Sequence, residues 1–191
     1  MARPPRHTRP MFGRAIAIVV LLAAFAASAE ADQRDPRLPT LFRQLQATAD
    51  AAEGGRLGRE IAAIWAEVRD QGIREIMAEG HRFMAAGNLN LALGNFTSVT
   101  NFAPDFAEGF NQRANVLYRL GNYDRAIRTI QQTLRREPRH FLAWAGLGAI
   151  YLELDRKPDA LKALHEALAI NPHLEGARHT AERLRWALEA K

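Results

Sequence analysis

The residues that could carry chemistry in this 191-residue chain are few. They are His81, His140, His165, His173 and His179, the cluster Gly54-Gly55-x2-Gly58, and Ser98. Histidine serves as a proton shuttle or metal ligand when a second donor stands at a fixed spacing. None of these five falls in a His-Glu-x2-His arrangement, and His165-Glu166 is an isolated dipeptide on a predicted helix surface. Cysteine is absent, which excludes any thiolate zinc site and any disulfide. The glycine cluster is too loose for a phosphate cradle, with neither Lys nor Thr following to hold a nucleotide and its magnesium. Ser98 lies inside a predicted helix and not on an exposed elbow. The expectation is a protein that is not an enzyme, with no catalytic residues, no metal and no cofactor.

The amino terminus has a separate logic. Arg3, Arg6, Arg9 and Arg14 form a basic leader without an acid; Ala15 to Ala27 is an apolar core; Ala27-Ser28-Ala29 is a small-x-small cleavage site, with Ala29-Glu30-Ala31 a second. That pattern is a secretory signal peptide over 1–29, cleaved after Ala29 or Ala31 and too short to span a bilayer comfortably. Without cysteine at the cleavage point, no lipid anchor follows, so no stable membrane anchor survives cleavage. The expected location is the periplasm or the exterior. Four of the 26 basic residues lie in this leader, leaving 22 against 21 acids. The basic character of the whole chain therefore belongs to the leader, and no nucleic-acid surface is expected. The local cluster Arg125, Arg128, Arg135, Arg136 and Arg139 reads as a solvated outer face.

Beyond residue 72 the chain repeats itself. Proline recurs at 104, 138 and 172 and alanine at 92, 126 and 160, both in a 34-residue phase running through 73–106, 107–140 and 141–174. One position on each first helix is small (Gly80, Ala114, Gly148) and faces a small position on the second (Ala92, Ala126, Ala160). Large apolar groups stand beside them, Gly87 and Gly121 permit turns, and the prolines stop each second helix. The third unit reads Trp144-x2-Leu147-Gly148-x2-Tyr151, then Ala160-x3-Leu164, then Pro172, which resembles the tetratricopeptide repeat.

The resemblance implies an all-α fold: a right-handed α-solenoid of helix-turn-helix repeats with an N-terminal helical hairpin and a C-terminal capping helix. The expected layout is a flexible lead-in at 30–37, a degenerate hairpin acting as N-cap at 38–72, repeats at 73–106, 107–140 and 141–174, and the capping helix at 175–191. In the hairpin, Leu41, Phe42 and Leu45 mark one helix, Glu53-Gly54-Gly55 the turn, and Ile61, Ile64, Trp65 and Val68 the other. In the capping helix Ala177, Ala181, Leu184 and Leu188 form the buried stripe, and Trp186, off that stripe, either folds back onto the array, the favoured reading, or stands out as an aromatic contact for a partner.

The same resemblance implies a concave groove lined by first helices. Carried over by position, it would show Arg74, Met77, His81 and Met84, then Glu108, Asn111, Asn115, Tyr118 and Arg119, then Leu142, Ala145, Ala149, Leu152 and Glu153. A polar middle with amides and apolar ends suits a protein or peptide segment. Family members that clamp acidic chaperone C-termini carry paired basic and amide residues where this chain has Met77 and His81, then Leu142 and Gly146, so that mode is not expected. Glu79 and Arg113 stand where the motif wants leucine and are expected to pair with each other. The leading reading is an envelope adaptor. A subunit of an envelope-modifying enzyme complex and a chaperone for extended clients stay open beside it, and the sequence does not name the oligomeric state.

Overall fold

The computed structural model describes residues 34–190; the leader and its two cleavage options lie outside them. Among the described residues there are nine helices and no strand. Six form the repeats: α3 (Gln71–Ala85) with α4 (Leu89–Phe102), α5 (Ala107–Arg119) with α6 (Tyr123–Arg136), and α7 (Phe141–Glu153) with α8 (Lys157–Ile170). Each pair packs on itself, each second helix packs on the next first helix, and α9 (Glu175–Glu189) closes on α8. The result is an α-solenoid. None of its helices is long and apolar enough to cross a membrane.

Close approach within each pair follows from the small residues. A Cβ on Gly80 would come within 2.8 Å of the Phe96 ring, and one on Gly148 within 2.8 Å of Leu164. Ala92, Ala126 and Ala160 are fully buried opposite them. Each first helix ends on the same cap. The amide of Asn88 donates to Phe83 and that of Gly87 to Met84; Asn122 and Gly121 repeat this to Leu117 and Tyr118, and Arg156 and Asp155 to Tyr151 and Leu152. That motif needs a left-handed residue, supplied by Gly87 and Gly121 (φ 77° and 71°) and in the third repeat by Asp155 (φ 52°).

The amino-terminal hairpin departs from expectation. It consists of α1 (Leu38–Ala47) and α2 (Ala51–Ala66), and the turn is Thr48–Asp50, not Glu53-Gly54-Gly55. Asp50 caps α2 by accepting from the amides of Ala52 and Glu53, which carries the glycines into the helix. Gly54 and Gly58, one turn apart, are a packing stripe. A Cβ on Gly54 would overlap the His173 ring, and one on Gly58 would lie 2.9 Å from Asn171. The hairpin therefore does not stack in front of α3 as an N-cap. Its core of Leu38, Leu41, Phe42, Leu45, Leu57, Ile61, Ile64 and Trp65 closes on Phe141, with Ile170 and Leu174 beside it. Gln46 donates to the carbonyls of Ala169 and Ile170. Val68 lies past the end of α2 and joins the α3–α4 core instead. In the described part of the lead-in, Arg37 pairs with Asp35 at 2.8 Å and with Glu67 at 3.0 Å.

Two arginines of the outer cluster are not merely solvated. The Arg136 guanidinium lies 3.9 Å over the Phe110 ring and donates to the Pro104 carbonyl. Arg139 lies 4.4 Å over Phe42 and pairs with the buried Glu137 at 3.1 Å.

Candidate functional site

The first helices α3, α5, α7 and α9 repeat their exposed positions every 34 residues, and the candidate groove is built from those rows. The hairpin divides them in two. Near the amino ends of the first helices, α2 lies over the turns at 138–141 and 171–174 and shares a cleft of about 630 Å³ with Ala145 and Gly176. Here the expected groove residues are engaged inside the protein. Met77 is buried in the α3–α4 core. Glu108 is buried and accepts from Asn111, Gln112 and the His140 Nε2, the last at 3.0 Å. Leu142 stays partly exposed. Arg74, one turn into α3, turns back to donate to the carbonyls of Val68 and Arg69.

Toward the carboxyl ends the rows are open. His81, Asn115, Arg119 and Glu153 are exposed, and Met84, Tyr118 and Leu152 are half-buried. Neighbouring repeats are tied here: Arg119 donates to the Met84 carbonyl at 3.1 Å, and the Tyr118 hydroxyl meets the Glu153 carboxylate at 3.3 Å. Partial burial and the adjacent Glu153 carboxylate both push the Tyr118 phenol above its ordinary pKa, so it stays a neutral hydrogen-bond donor.

Residue 186 belongs to the same row. Met84, Tyr118, Leu152 and Trp186 are spaced by 34, and Trp186 is 69% exposed instead of folded back. Arg183 stands in phase with His81, Asn115 and Ala149 in the same way. The sequence carried this signal, because continuing the repeat phase through α9 finds both residues. His140 is not singled out by spacing, because only the fold brings Trp65, Glu108 and residue 140 together. Among the described residues no three His, Cys, Asp or Glu side chains gather as a metal-binding group.

The comparisons with known proteins agree with this architecture. The sequence model of the tetratricopeptide repeat family matches residues 111–175. A TPR repeat-containing protein of Rhizobium etli is 30% identical over 136 residues, covering 71% of this chain and 67% of that protein. The chain belongs to the tetratricopeptide repeat family. Among solved structures, the first tetratricopeptide domain of Spaghetti (RPAP3) bound to an HSP90 peptide superposes with a TM-score of 0.60 at 18% identity, covering 62% of this chain and 94% of that one. MamA superposes at 0.59 with 14% identity, covering 78% of this chain and 84% of that one. At such identities the likeness is one of fold. Within this tetratricopeptide protein, the hairpin over one end of the groove is the element that departs from the 34-residue repeat.

Proposed function

We propose that the protein is an exported adaptor that holds an extended protein or peptide segment along the open half of its groove. The observation that carries this reading is the row Met84, Tyr118, Leu152 and Trp186, apolar or aromatic at every repeat and flanked by Asn115, Arg119, Arg183 and Glu153. An extended segment places alternate side chains on one face, so apolar groups can seat along such a row. Its backbone meanwhile meets amide and guanidinium donors. The likeness to a domain whose structure holds a peptide supports the reading. The partner's chemistry differs from an acidic C-terminus, since Met77 is buried and His81, Leu142 and Gly146 offer no basic clamp. Export to the periplasm or exterior rests on the leader of residues 1–29. The reading is non-catalytic.

A photo-crosslinking side chain at Asn115, compared with one at Arg128 on the outer face, tests this in the host. The reading expects one or two envelope proteins trapped at fixed ratio from position 115. Many clients at low yield would favour a chaperone, and trapping from position 128 alone would remove the groove.

A further inference from the structure

The outer face of α4 differs from the outer faces of the second helices that follow it. Residues Phe83 to Pro104 include no ionisable side chain, in a chain that is 25% charged. The equivalent helices are charged: α6 carries Asp124, Arg125, Arg128, Arg135 and Arg136, and α8 carries Lys157, Asp159, Lys162 and Glu166. On α4, Leu91, Asn95, Ser98 and Phe102 fall at i, i+4, i+7 and i+11, which is one face of the helix. Leu91 is 54% exposed and Phe102 70% exposed. Single exposed apolar residues are ordinary, but an uncharged stripe with two large ones is not.

These positions have a known use elsewhere in the same molecule. Thirty-four residues after Asn95, Thr129 is buried, and Ala163 after it is buried in the cluster that holds Ile130 and Leu147. Position 102 corresponds to Arg136, whose guanidinium reaches the proline carbonyl of the preceding repeat. At positions 95 and 102 the α4 face therefore matches places that later repeats bury or turn toward the repeat before them, whereas Arg125, the equivalent of Leu91, is exposed. In the first repeat nothing from the hairpin covers this face, because the hairpin closes on Phe141, Ile170 and Leu174.

We propose that this face pairs with the same face of a second copy of the chain, α4 against α4 about a twofold axis. A twofold contact sets residues near the axis against their own copies, so any charge there would meet a like charge. An uncharged stripe of Leu, Asn, Ser and Phe avoids that repulsion, and its polar groups are already satisfied within α4, where Asn95 donates to the Leu91 carbonyl and Ser98 to that of Gly94. Gly94 has nothing within 4 Å of where its Cβ would be, which leaves room for a neighbouring helix to approach. Head-to-tail stacking on α9 is a poorer match. That helix exposes Arg178, Glu182, Arg185 and Glu189, for which α4 has no counter-charge.

The absence of cysteine makes the test clean. On the chain from Glu30 onward, sedimentation equilibrium should give twice the chain mass, falling to once the chain mass in L91E/F102E with an unchanged helical signal. Trp186→Glu should leave the dimer intact. A single cysteine at Ser98, mid-stripe, should give an oxidised or bismaleimide-linked dimer, whereas Gln132→Cys, its equivalent in the second repeat, should not. A monomer at all concentrations, a dimer that survives L91E/F102E, or open-ended polymers would each overturn the proposal.

Discussion

Trp65 lies flat on His140, with ring centroids 4.4 Å apart and planes 16° from parallel. The imidazole beneath it is fully buried and both nitrogens are used. Nδ1 accepts from the Ala143 amide at 3.1 Å, capping α7, so the proton must sit on Nε2, which donates to Glu108 at 3.0 Å. One contact therefore joins α2, α5 and α7, and it fixes the hairpin over the end of the groove.

Trp65→Ala should release the hairpin. Deleting a buried aromatic costs roughly 3–5 kcal/mol, and here the loss falls on α1 and α2, which contact the array mainly through this core. Hydrogen exchange should show lost protection in 38–66 with α5 to α8 unchanged. Uniform loss across all helices would mean the hairpin and the repeats fold as one unit.

Asp155 occupies the left-handed position that Gly87 and Gly121 fill in the other repeats. A side chain there is strained, though least so for Asp and Asn. Asp155→Gly should stabilise by about 0.5 kcal/mol, after the greater freedom of glycine in the unfolded chain is offset. Gly121→Ala should cost about 1 kcal/mol. Thermal melts of the two variants check the pair of opposite signs.

The expected pairing of Glu79 with Arg113 does not form. Glu79 is exposed, since no repeat stacks in front of α3, while the Nε of Arg113 is buried without an acceptor. Burial and the neighbouring Arg125 both depress the Arg113 pKa. A buried donor without a partner costs about 1–3 kcal/mol, so Arg113→Leu, the residue the motif prefers, should raise stability by about 1 kcal/mol and the melting temperature with it. A lower melting temperature would show that the guanidinium stem packs better than a leucine.

The repeat array was legible because its geometry is local. Gly80 against Phe96 and Gly148 against Leu164 are contacts within one hairpin, and each recurs at a constant interval. In the amino-terminal hairpin the paired glycines suggest a turn at 53–55, whereas Asp50-x2-Glu53 starts the helix ahead of them. Its docking was not legible at all. Gly54 and Gly58 are small for the sake of His173 and Asn171, more than a hundred residues away, and nothing in the spacing of the chain announces that. Part of the expected groove is closed for the same reason, since the buried Glu108 is held by His140, and the half-buried Asn111 donates to Glu108.

The central claim is that the open half of the groove binds the partner, and one affinity measurement tests it. Once the protein trapped from position 115 is known, its binding to the parent is compared with that to Asn115→Ala combined with Trp186→Ala, and to Arg128→Ala combined with Arg135→Ala. All four side chains are exposed, so neither pair should disturb folding. Hot-spot residues, among which tryptophan is enriched, cost about 2 kcal/mol or more when truncated, so the groove pair should weaken binding at least tenfold while the outer pair leaves it within twofold. Loss of binding in the outer pair with the groove pair unaffected would contradict the account.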